Sequence, residues 1–133
     1  MPSQFKILDK RRFLIAAMNA LSGNAHISFE GDLKSHEFST IAGHSFDEAA
    51  VLKRNALWPK QNSVVLPLRS DLVNDLCKAI AGTVPRAIIH IQIEKDGKLA
   101  LGLYDNFQAN NLAGLDRDFL ETLQSEDIVR LRT

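Results

Sequence analysis

The sequence predicts an α+β fold: a single two-layer domain over residues 1–133, with a mixed or mainly antiparallel sheet of about four to five strands and helices packed on one face. Three observations predict it. Segments of helical and strand periodicity interleave along the chain. Two alternating segments flank Asp96-Gly97, and a hairpin that tight demands antiparallel pairing. Two stretches also match each other: residues 25–30 read Ala-His-Ile-Ser-Phe-Glu and residues 89–94 read Ile-His-Ile-Gln-Ile-Glu. Each follows a helical segment closed by glycine (Gly23, Gly82) and sets a histidine, a neutral polar residue and a glutamate on one side of a strand. Any two amphipathic helix–strand units look alike at this length, and a duplicated unit would give the same pattern.

In chain order, residues 4–8 suit a short strand or the lead-in to a helix. Asp9 is placed to cap a helix over 10–22, whose Leu14, Ala17, Met18 and Leu21 recur at i, i+3, i+4 and i+7. Phe13, Ala16 and Ala20 widen that stripe, so the helix is buried on more than one side. Gly23 stops it, since glycine turns left-handed without a Cβ penalty. A strand over 25–30 follows, then an irregular stretch over 31–44. Ser45 and Glu48 form a capping-box pattern ahead of a short helix at about 46–56, which Trp58-Pro59 ends.

Residues 63–68 form a strand, and Pro67, which cannot donate to a ladder, belongs at an edge or a strand end. Ser70 is placed to cap a helix over 71–81 with the stripe Val73, Leu76, Cys77 and Ile80. The strand over 87–94 then enters the hairpin. A two-residue Asp96-Gly97 turn would oppose Ile93 to Ala100 and Gln92 to Leu101, mixing both faces. A three-residue loop, Lys95-Asp96-Gly97, sets Ile89, Ile91 and Ile93 opposite Leu103, Leu101 and Leu99. Register follows the hydrophobic face, so the three-residue loop is expected, with Glu94 paired to Lys98. Residues 105–115 read as a loop, Asp116 caps a helix at about 117–125, and Leu115 and Leu120 are spaced for a hydrophobic staple. Residues 128–132 alternate and suit a last edge strand blunted by Arg130 and Arg132.

Composition bounds the function classes. At 133 residues the chain buries roughly two thirds of its unfolded surface and needs neither disulfides nor metal to fold. Sixteen basic residues balance sixteen acidic ones, which disfavours nucleic acid as a partner. The single cysteine, Cys77, suits a reducing cytoplasm. Lys10-Arg11-Arg12 before an apolar run loosely mimics a signal peptide, but Asn19 breaks the run, and no stretch reaches membrane-spanning length. The expectation is cytoplasmic, with no membrane association.

Four residues could carry chemistry on the polar strand faces: His26, Glu30, His90 and Glu94. His26 and Glu30 lie four residues apart on one strand, roughly 13 Å, and cannot touch. Antiparallel neighbours would instead set His26 by Glu94 and His90 by Glu30, and a histidine oriented by a carboxylate is a usable base near neutral pH. The plain alternative is a solvated sheet face, as antiparallel sheets commonly keep. His36, Glu37, His44, Asp47 and Glu48 gather in and after a loop, but their spacings match no metal signature, so no metal and no cofactor are expected. Lys53, Arg54, Trp58 and Lys60 form a basic and aromatic cluster of the kind that anchors interfaces, unless Trp58 is core. Tyr104 and Asn106 stand where the hairpin gives way to a long loop, a common place for binding. Cys77 reads as a small buried hydrophobe.

The expected function is a non-catalytic macromolecule-binding module, a protein–protein interaction or regulatory/immunity-type protein. Arg54, Trp58, Lys60, Tyr104 and Asn106 are its binding candidates, another protein is its partner, and homo-oligomerisation is compatible with it. The alternative is a small enzyme or small-molecule binder using His26, His90, Glu30 and Glu94.

Overall fold

Alternation of apolar side chains organises the centre of the fold. In the computed structural model, residues 5–33, 38–46, 51–52, 62–80, 88–105 and 107–131 are described. The elements run β1 (Phe5–Ile7), α1 (Lys10–Leu21), β2 (Ala25–Gly31), β3 (Asn62–Pro67), α2 (Val73–Ile80), β4 (Ile88–Lys95), β5 (Lys98–Tyr104), β6 (Ala109–Asn111), α3 (Arg117–Ser125) and β7 (Val129–Leu131). β2 to β6 form a five-stranded sheet in the order β3-β2-β4-β5-β6, and β1 pairs with β7 in a second, two-stranded sheet. Every pairing is antiparallel, so the mixed-sheet option falls away.

One face of the larger sheet is apolar. Ile27 and Phe29, Val64 and Leu66, Ile91 and Ile93, and Leu101 and Leu103 are all buried. They share one core with Leu14, Ala17 and Met18 of α1, Leu76 and Ile80 of α2, and Leu120 and Leu123 of α3. Phe38, from a short 3-10 turn at 38–40, stacks on Phe29 with ring centroids 4.7 Å apart. Fully buried aromatics of this kind are worth about 3–5 kcal/mol against alanine.

Local signals place the helices. The Asp9 side chain accepts the Arg12 amide at 3.0 Å and opens α1. Asp116 accepts the Phe119 amide at 2.8 Å and opens α3, with Leu115 and Leu120 both buried as a staple requires. Ser70 does not cap α2. It is the first residue of a 3-10 turn, 70–72, whose preceding residue Arg69 makes no side-chain cap. Of the helix expected at 46–56, Phe46, Val51 and Leu52 are not helical, and its other residues lie outside the described ones. Glu48, the partner expected for Ser45 in a capping box, lies outside the described residues, and the Ser45 backbone bridges Val65, with both hydrogen bonds made, at 2.8 and 2.7 Å. Pro67 is the last residue of β3, which is the outer strand of the sheet on that side.

The hairpin corrects the expected register. Asp96 and Gly97 form a two-residue turn, both with positive φ (53° and 84°), and Lys95 opposes Lys98. One step on, Glu94 opposes Leu99 but Ile93 opposes Leu101, so Ala100 is an inserted bulge residue. Ile91, Ile93, Leu101 and Leu103 still collect on one face because the bulge, not a longer loop, supplies the shift, whereas Leu99 stands opposite Glu94 and a second irregularity, between Glu30 and Gly31, puts Ile88 rather than Ile89 in the core. The Ala100 carbonyl turns to accept the Gly114 amide at 2.7 Å. A Cβ on Gly114 would sit against the Ala100 backbone, which is why glycine stands there. The expected loop 105–115 also contains β6, which extends the sheet beyond β5.

β2 and β4 are neighbours at the sheet centre, with Ser28 opposite Gln92, His26 opposite Glu94 and Glu30 opposite His90. β3 flanks β2 and β5 flanks β4, and the preceding helices α1 and α2 touch each other. The two matching sequence stretches therefore sit as a pseudo-symmetric pair about Ser28 and Gln92.

Candidate functional site

The polar face of the sheet is built from cross-strand rows. Pro67, His26 and Glu94 make one row, Val65, Ser28, Gln92, Gly102 and Asn111 the next, and Ser63, Glu30 and His90 a third. Antiparallel pairing of β2 with β4 brings each histidine beside a glutamate, as the sequence predicts. The solvated face does not follow. Glu30 is 4 % exposed, Gln92 6 % and His90 8 %, and Ser28 and Ser63 are buried too.

Buried polar groups must find partners. The Tyr104 ring lies across Gly102, where a Cβ would collide with it, and its hydroxyl takes the Gln92 Nε2 donor at 3.1 Å. The His90 and Tyr104 rings stand 5.8 Å apart. His90 Nδ1 accepts the Asp105 amide at 3.2 Å, and Glu30 is likewise engaged. A backbone amide can only donate, so neutral His90 carries its proton on Nε2.

His26 differs at every point. Its side chain is 53 % exposed, while that of Glu94 is 15 % exposed. His26 Nδ1 lies 2.9 Å from Glu94 Oε1. A carboxylate can only accept, so Nδ1 holds the proton and Nε2 keeps its lone pair. The other Glu94 oxygen, Oε2, takes the Gly97 amide at 2.6 Å. Glu94 thus bonds to the hairpin turn and not to Lys98, which opposes Lys95. The turn is itself tied to the end of α1. Asn24 Nδ2 donates to Asp96 Oδ1 at 2.7 Å, and Lys95 Nζ donates to the carbonyls of Leu21, Ser22 and Gly23 at 3.2, 3.2 and 2.7 Å. No sequence signal announces these turn-to-turn bonds, because they exist only once the β2–β4 register is set.

The two histidine–glutamate pairs sit four residues apart along the strands, roughly 13 Å, and do not converge on one point. Among the described residues no three His, Cys, Asp or Glu side chains gather to hold a metal. Burial pushes the Cys77 thiol up from its ordinary pKa, and the Arg11 guanidinium offsets part of that rise. Cys77 is therefore not an activated nucleophile.

Comparison with protein-family models, curated proteins and solved structures gives no match.

Of the predicted binding residues, Tyr104 belongs to the polar layer, and Arg54, Trp58, Lys60 and Asn106 lie outside the described residues. An unpredicted candidate is Phe46. It is 53 % exposed, and its ring meets His44 edge-on at 5.3 Å. The segment beneath it is well anchored. His44 Nδ1 bonds the Ile41 carbonyl at 2.9 Å, Ser45 pairs with Val65, and Gly43, with φ +84°, leaves no room for a Cβ beside the Pro67 ring. An isolated phenylalanine in a polar loop gives no sequence cue. Exposure on a braced segment is what distinguishes it. No described helix is long and apolar enough to cross a membrane.

Proposed function

We propose that this protein is a binding module for another protein and that Phe46 is its anchor. The observation that carries the reading is a large aromatic ring left open on a segment braced against the outer strand β3. Preorganised aromatic anchors carry a disproportionate share of interface energy, since they bury a large area at little entropic cost. Of the two histidine–glutamate pairs, His90 and Glu30 are buried. The buried pair, with Gln92 and Tyr104, acts as an internal polar layer that fixes strand register. A regulatory or immunity-type role is the class of function that fits such a module.

Affinity capture with the full chain and with Phe46→Ala, compared by mass spectrometry, tests the proposal. A protein retained by the parent chain and lost from the variant is expected, with an unchanged melting temperature. Identical retained sets would overturn the anchor.

A further inference from the structure

Independently of any protein partner, we propose that His26 and Glu94 form a nucleophilic dyad that accepts acyl groups from uncharged activated esters. Three observations carry it. His26 Nδ1 is held by Glu94 Oε1 at 2.9 Å, which in the neutral ring leaves the lone pair on Nε2 of a side chain that is half exposed. Glu94 is immobilised through its second oxygen by the Gly97 amide at 2.6 Å. The turn bearing that amide is clamped to the end of α1 by Asn24 and Lys95. A nucleophile in line with a base that is itself fixed is the arrangement nucleophilic catalysis needs. Of the other described histidines, His90 is buried with Nδ1 occupied, and His44 bonds only a backbone carbonyl, which cannot take up a proton.

The substrate class follows from charge. The carboxylate beside His26 repels anionic phosphoryl donors and leaves neutral esters unopposed. In the step, Nε2 attacks the ester carbonyl carbon, forming an N–C bond. The C–O bond to the leaving group breaks, and the alkoxide or phenoxide departs with the electron pair. The Nδ1 proton passes to Glu94 Oε1. Water then adds to the acyl carbon and the C–Nε2 bond breaks, the acid leaves with the water oxygen and one of its hydrogens, the other water proton passes through solvent to the departed oxyanion, and the Glu94 proton returns to Nδ1. Glu94 is a positioning and proton-accepting residue that need not touch the ester.

p-Nitrophenyl acetate with the full chain tests the proposal. Phenolate release should exceed that of equimolar N-acetylhistidine by about tenfold or more, and brief exposure should place the acetyl group on residue 26 by mass spectrometry. His26→Gln should return the rate to background. Glu94→Gln cannot take the proton, and its one carbonyl oxygen can serve either Nδ1–H or the Gly97 amide but not both. Acylation should then slow by about tenfold, with nitrogen-15 spectra reporting which tautomer the variant holds. A parent chain no faster than His26→Gln overturns the dyad, as does acetyl found only on lysines. An unchanged rate in Glu94→Gln overturns the role of the carboxylate.

Discussion

His26 and His90 hold opposite tautomers on one face of the same sheet. His26 Nδ1 donates to the Glu94 carboxylate at 2.9 Å, and His90 Nδ1 accepts the Asp105 amide at 3.2 Å. The difference comes from position: β2 and β4 give both a glutamate neighbour, but only His90 meets the chain leaving β5. Nitrogen-15 correlation spectra at neutral pH should show Nδ1–H for His26 and Nε2–H for His90. An Nδ1–H signal from neutral His90 would contradict the assignment.

Lys95 closes α1 from outside the helix. Its ammonium meets the carbonyls of Leu21, Ser22 and Gly23, where the negative end of the helix dipole lies. Lys95→Met keeps the aliphatic stem and removes the charge. It should cost about 1–2 kcal/mol in urea unfolding, and Lys98→Met on the facing strand should cost far less. Equal effects would mean that the carbonyl contacts contribute nothing.

Asn110 offers a gain in stability. It opposes Leu103 on the apolar face, and its Oδ1 is buried with no hydrogen-bond partner among the described residues. An orphaned buried acceptor carries its desolvation cost uncompensated, about 1–3 kcal/mol. Asn110→Leu should raise the denaturation midpoint by an amount corresponding to about 1 kcal/mol. A loss of stability would show that the amide is satisfied in solution.

Cys77 should be slow to alkylate. Its thiolate is the reactive form, and burial raises the pKa, so the thiol stays protonated to a higher pH than free cysteine. The midpoint of the rate–pH profile with iodoacetamide should lie above that of free cysteine. Arg11→Ala removes the cation that offsets burial and should move it higher still. The folded state holds the proton more tightly than the unfolded chain, so this group's contribution to stability falls as alkaline pH rises through its folded pKa. A midpoint below that of free cysteine would refute the burial argument.

Several features were legible in the residues. Asp9 and Asp116 announce α1 and α3 because a cap is a bond between residues three apart in sequence. Pro67 announces the end of an outer strand because it lacks a donor. The pairing of His26 with Glu94 follows once antiparallel neighbours are assumed. Ser70 fails as a cap signal because the chain enters α2 through a 3-10 turn rather than at that residue. The alternation rule chose the right face for Ile91 and Ile93 but the wrong device, since an inserted Ala100 aligns them with Leu103 and Leu101, and it put Ile89 in the core where Ile88 stands instead.

Alternation and capping are local, and by themselves they announce the starts of α1 and α3, the apolar faces of β2 and β3 and the presence of an antiparallel hairpin. Tertiary structure alone decides that the polar face is buried, that Phe46 stays open, and that Glu94 answers to Gly97 rather than to Lys98. The reason is physical: periodicity says which way a side chain points, but exposure and partnership depend on which distant segments pack there, and chain entropy lets those be any that repay the ordering.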